Sequence, residues 1–127
     1  MKPSNPLAAL ALLVVTAAAA PPDRTGELHF GLRTSSPEAG ASVAAPEAIR
    51  LTFTEVPQDN SVAVRLVDPT GELVETGEPT YDADDRTIIH VSVGAPLPAG
   101  GYTVAWRGIG DDGHVVRGDF SFSVTAQ

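Results

Sequence analysis

The chain contains no cysteine, and its one methionine is the initiator. Without cysteine the fold cannot be stapled by disulfides, no thiolate is available for a metal or for nucleophilic attack, and lipidation of an N-terminal cysteine is excluded. Without an internal methionine there is no thioether ligand. Soft-metal coordination is thereby ruled out, leaving nitrogen and oxygen donors for any bound ion. Catalytic signatures are missing too: there is no Gly-x-Ser-x-Gly elbow, no phosphate-cradling glycine loop and no His-Glu-x-x-His pair. Hydrolytic and nucleotide-dependent activities therefore lack support, and a protein that is not an enzyme is expected.

What is present begins with Lys2, an apolar run from Leu7 to Val15 and an alanine cluster from Ala17 to Ala20. This is the three-part layout of a secretory signal peptide. The run falls short of the roughly 20 residues that a membrane-spanning helix needs, so removal rather than anchoring is expected. Ala17 and Ala19 frame a cut before Ala20. The chain then divides into a signal peptide over residues 1–19, an extension over 20–28 and a domain over 29–127, in a periplasmic or secreted protein with no membrane anchor after cleavage. Removing 19 of 127 residues leaves 108, enough for one domain with one core. Of the eight Lys and Arg residues only Lys2 is lost, so seven arginines face 16 acidic residues, a net charge of −9. Nucleic acid is excluded as a partner on this ground, because basic groups supply most of that affinity.

Beyond the signal peptide the apolar period is two throughout. Leu28, Phe30 and Leu32 alternate with polar or small residues, as do Ile49, Leu51 and Phe53; Val62, Val64 and Leu66 follow, then Leu73 and Val74, Ile89 to Val93, Tyr102 to Trp106 and Phe120 to Val124. Turn residues separate them, as in Asp68-Pro69-Thr70-Gly71 and Pro98-Ala99-Gly100-Gly101. Seven short strands in about 100 residues predict an all-β, seven-stranded immunoglobulin-like β-sandwich of Greek-key type. Trp106, Tyr102, Phe120 and Phe122 take the inward phase and are read as core. Residues 36–46 read as an ordered loop, and the acidic, turn-rich stretch from Glu75 to Arg86 as the most mobile element. Tyr81-Asp82-Ala83-Asp84-Asp85 lacks the glycine and distant glutamate of a calcium loop and is read as a solvated acidic loop.

The chemistry concentrates in Asp111-Asp112-Gly113-His114. In extended backbone, residues two apart point to one side, so Asp112 and His114 can converge on a point across Gly113. Taken alone, such a tripeptide is ordinary turn chemistry. His29 adds to it: alternating with Leu28 and Phe30, its ring leaves the core side and is free to serve as a ligand. His90 also falls on the solvent phase, with no partner evident in the sequence.

His29, Leu32, Ser35, Pro37 and Gly40, then Leu51-Thr52-Phe53-Thr54-Glu55, Leu97-Pro98-Ala99-Gly100, Tyr102-Thr103-Val104-Ala105-Trp106-Arg107, Asp112-Gly113-His114, Gly118 and Phe120 to Val124 together resemble the CopC family of copper-resistance proteins. The resemblance runs in order over nearly the whole mature domain. It implies a β-sandwich holding one Cu(II) ion, with His29, Asp112 and His114 as the ligands, and a membrane copper-transport protein as a recipient. Nitrogen and carboxylate donors suit Cu(II), and the lack of methionine implies that the separate Cu(I) site of some members is missing. Zinc accepts the same donors. One departure stands out: in the family the cut falls immediately before the histidine, whereas here residues 21–28 intervene, and Leu28 is a poor residue before a signal-peptidase cut. A chain starting at Ala20 offers only the ring of His29, with water or Asp111 completing the coordination plane. A second trimming step would restore the amine.

Two functions follow: an exported protein that buffers or delivers copper in the cell envelope, or a CopC-like interaction module with a degenerate site and no copper role. A copper monooxygenase has the ligand types but no recognisable substrate surface.

Overall fold

Each alternating segment has one apolar face that must be covered, and two sheets laid face to face cover them all. The computed structural model, which describes residues 29–126, contains β1 (Leu32–Ser36), β2 (Ser42–Val43), β3 (Ala48–Phe53), β4 (Ala63–Val67), β5 (Leu73–Val74), β6 (Thr80–Tyr81), β7 (Ile88–Ser92), β8 (Gly100–Ile109) and β9 (Val115–Val124). One sheet has the order β1-β3-β7-β6 and the other β2-β9-β8-β4-β5. Pairing is antiparallel except between β2 and β9. The all-β two-sheet sandwich is thus as expected, and no helix occurs among the described residues. The proposed signal peptide and the extension over 20–28 lie outside the described residues.

The strand count differs from the expected seven. β2 lies in the stretch read as a loop, and β6 in the stretch read as mobile; each has two residues, too few to show a period. The first strand also begins later than predicted, at Leu32, although Phe30 does point inward and is 4% exposed.

The core joins both sheets. Ile49, Leu51, Phe53, Ile89 and Val91 from one face meet Leu66, Tyr102, Val104, Trp106, Phe120 and Phe122 from the other. Burying one such side chain stabilises the fold by about 1.5–3 kcal/mol. Phe30 stacks on Phe53 at 4.8 Å between ring centroids, and Trp106 meets Phe53 edge-on at 5.5 Å. Tyr102 stacks on Phe122 and donates its hydroxyl to the Pro98 carbonyl at 2.7 Å, which satisfies the phenol at the sandwich corner. Trp106 is opposite Gly118 on β9, and its indole lies where a Cβ on that glycine would sit, 2.6 Å from Cζ2.

Two loop expectations change. His90 is not unpartnered: its Nε2 is 2.8 Å from Asp82 Oδ1, a residue eight positions earlier that the β6–β7 pairing brings alongside. The Glu75–Arg86 stretch is tied down by the Thr76–Val93 bridge, by the Gly77 amide donating to the Ser92 carbonyl, and by the Tyr81 hydroxyl donating to the Pro57 carbonyl at 2.8 Å. Two of its carboxylates are engaged locally. Asp82 accepts from the amides of Asp84 and Asp85, and Asp85 from the amide and hydroxyl of Thr87.

Two outcomes are expected. Gly118→Ala drives a methyl into the Trp106 ring, and thermal denaturation should show a loss of about 1–3 kcal/mol, with altered tryptophan emission. The bond from His90, followed by backbone amides, holds the Asp82 carboxyl below its ordinary value of 3.8. A group depressed in the folded state contributes stability that is present above its unfolded pKa and lost as pH falls through the folded one. The stability difference between the parent chain and Asp82→Asn should therefore persist at neutral pH and shrink below about pH 4; a difference that stays undiminished below that pH would refute the pairing.

Candidate metal centre

The two longest strands, β8 and β9, form a hairpin whose last pair is Ile109 with Val115, so residues 110–114 are its tip. The Gly113 amide donates to the Gly110 carbonyl at 3.0 Å, closing a four-residue turn with Asp111 and Asp112 in the middle. Gly113 follows with φ +79°, a left-handed conformation that a side chain resists, and it redirects the chain into β9. Asp112 then folds onto its own turn. Its Oδ1 accepts from the His114 amide at 3.1 Å and its Oδ2 meets His114 Nδ1 at 3.0 Å. These two bonds, the backbone one first, hold the Asp112 carboxyl below the usual carboxylate range, with a smaller contribution from the charge of His29. It is therefore ionised wherever a metal would be bound. A carboxylate partner requires the proton on Nδ1 of neutral His114, which leaves the Nε2 lone pair free, and the side chain is 81% exposed.

His29 reaches the same end of the molecule from the other direction. Phe30 beside it packs over Gly108 and Gly110 of the hairpin, where any Cβ would collide with its ring or its own Cβ. Thr54 Oγ1 donates to the His29 carbonyl at 2.8 Å and accepts from the Gly31 amide at 3.0 Å. The ring is exposed and near enough for its charge to bear on Asp112. Side chains are not drawn together beyond that: among the described residues no three His, Asp or Glu groups converge as a ready metal cage. His114 is turned onto Asp112.

Three positioning residues carried no motif. The residues after β3 run past both halves of the site: Thr54 holds His29, Glu55 Oε1 accepts from the Asp111 amide at 2.8 Å, and Gln58 donates its amide to Ile109 and its Nε2 to the Gly110 carbonyl at 2.9 Å. Thr54 and Glu55 belonged to the resemblance, but without a role; nothing in the linear pattern ties them to residue 111. Asp111 itself is exposed, its amide already engaged by Glu55.

Residues 32–125 match the CopC domain family, nearly three quarters of the chain. This chain belongs to the CopC family. It is 33% identical over 97 residues to Protein YobA of Escherichia coli K12, covering 76% of this chain and 78% of that one. Copper resistance protein C of Xanthomonas campestris pv. juglandis is 32% identical over 121 residues, covering 91% and 94%. The crystal structure of CopC from Methylosinus trichosporium OB3b superposes with a TM-score of 0.71 at 31% identity, covering 78% of this chain and 96% of that one. The CopC match takes in Asp112 and His114 but starts three residues after His29.

Thr54→Val removes the oxygen that serves both His29 and Gly31. Hydrogen exchange at the Gly31 amide should accelerate and stability should fall by about 1–2 kcal/mol, with protection in β8 unchanged.

Proposed function

We propose that this chain is an exported Cu(II)-binding protein that buffers or delivers copper in the periplasm or cell envelope, with His29, Asp112 and His114 as the ligands of one site and no catalytic role. The observation that carries the reading is the hairpin tip: an ionised carboxylate and an exposed imidazole with a free nitrogen share one turn, and His29, 85 positions before His114, is exposed at the end of the sandwich where Thr54 and Glu55 bond to both segments. Oxygen and imidazole donors suit Cu(II), and the Irving–Williams order favours copper over zinc at equal availability. Kinship with proteins named for copper resistance supports the same cargo. Export rests on the N-terminal pattern of Lys2, the apolar run and the alanine cluster. Where the copper is delivered rather than buffered, a membrane copper-transport protein is the recipient proposed.

The other reading, an interaction module with a degenerate site, draws on the lack of a ready three-ligand cage among the described residues. Copper titration of the metal-free secreted chain decides. A near-stoichiometric Cu(II) complex is expected, weakened on the order of tenfold or more by His114→Ala and by His29→Ala, and tighter in a chain beginning at His29 than in one beginning at Ala20 because the amine adds a chelate ring. Weak binding that ignores both substitutions would leave the interaction module standing.

A further inference from the structure

The outer face of the five-stranded sheet gathers three arginines on three neighbouring strands. Period two turns Arg65 on β4, Arg107 on β8 and Arg117 on β9 away from the core, and all three are exposed. Arg107 is directly opposite Arg117, and Arg65 is opposite Ala105, diagonal to Arg107. Like charges facing each other across a ladder destabilise a sheet. Among the described residues no ion pair relieves them: the pairs present are Arg86–Asp59, His90–Asp82 and His114–Asp112. Asp119, opposite Ala105 on the same face, is also without an ion-pair partner there. Ala63 and Ala105 keep the ground between the arginines low, so that the guanidinium groups border a shallow depression.

In a chain with formal net charge −8, three cations left unneutralised on one face form a local reversal of sign. We propose that this face is a docking surface for a carboxylate-rich segment of a partner protein. Charge complementarity chooses the occupant. A second copy is a poor candidate: its acidic Asp82–Asp85 loop belongs to the opposite sheet, so such contacts would propagate head to tail without closing. Guanidinium forks match carboxylates geometrically as well as electrostatically. The register gives the surface a direction. Arg107 and Arg117 are two rungs below the Ile109–Val115 pair, about 7 Å along the hairpin that ends in Asp112 and His114. Val115, 48% exposed on the same face, continues the surface toward that tip. A partner seated on the arginines would have its flank beside the metal-binding turn; that consequence rests on the proposed copper function, whereas the docking surface does not.

The test uses the metal-free secreted chain in the presence of chelator, so that failure of copper binding cannot be confused with failure of docking. With an octaglutamate peptide as probe, amide shifts in the NMR spectrum should cluster at residues 63–65, 105–107 and 115–117, and affinity should fall as NaCl is raised. Arg107→Gln with Arg117→Gln should weaken binding roughly tenfold while leaving copper binding unchanged and the thermal midpoint equal or higher, since a repulsive pair is removed. Asp119→Asn, at an exposed position, should tighten it. Shifts that map elsewhere, equal binding by the double variant, or complete displacement of the peptide by inorganic phosphate at matched charge would overturn the proposal, the last in favour of a small-anion site.

Discussion

The site depends on one strut. Residues 54–58 leave the first sheet at the end of β3 and bond to His29 on one side and to the tip of the β8–β9 hairpin on the other. His29 leads into β1, in one sheet, while Asp112 and His114 belong to the other. Two sheets in a sandwich are held mainly by apolar contact, which resists separation but specifies lateral position weakly. Directional bonds from Thr54, Glu55 and Gln58 supply that position, and Phe30 wedged over Gly108 and Gly110 closes the apolar half of the same joint. Deleting the glycine hydrogens' worth of space would push Phe30 outward and carry His29 with it.

Four aspartates are engaged by local donors, whereas the three arginines on the outer face of the five-stranded sheet form no ion pair among the described residues. Asp68, Asp82, Asp85 and Asp112 are each held below their ordinary range by local donors, Thr70 first for Asp68, His90 for Asp82, Thr87 for Asp85 and the His114 amide for Asp112. The first three stiffen turns. Asp112 does the same for its turn and also orients the His114 imidazole. Arg107 and Arg117 lie on the same hairpin, facing each other across it.

Much of this was open to inspection before any coordinates. Strict alternation in Ile49-Arg50-Leu51-Thr52-Phe53 and in Phe120-Ser121-Phe122-Ser123-Val124 declares which face is buried, because successive side chains in extended backbone point to opposite sides whatever the strand pairs with. Asp112-Gly113-His114 declared a turn with two donors for an equally local reason. β2 and β6 escaped because two residues carry no period, and the His90–Asp82 pair because it depends on β6 lying against β7.

Local chemistry, then, settled the strand faces, the core aromatics and the donor types at the hairpin tip, all of which depend on residues one or two positions apart. Tertiary structure alone decided that residues 54–58 bond both to His29 and to the hairpin tip, and that Arg107 confronts Arg117. Those contacts are set by which strands become neighbours, and neighbour choice is a property of the whole packed sandwich, with no trace in any single stretch of chain.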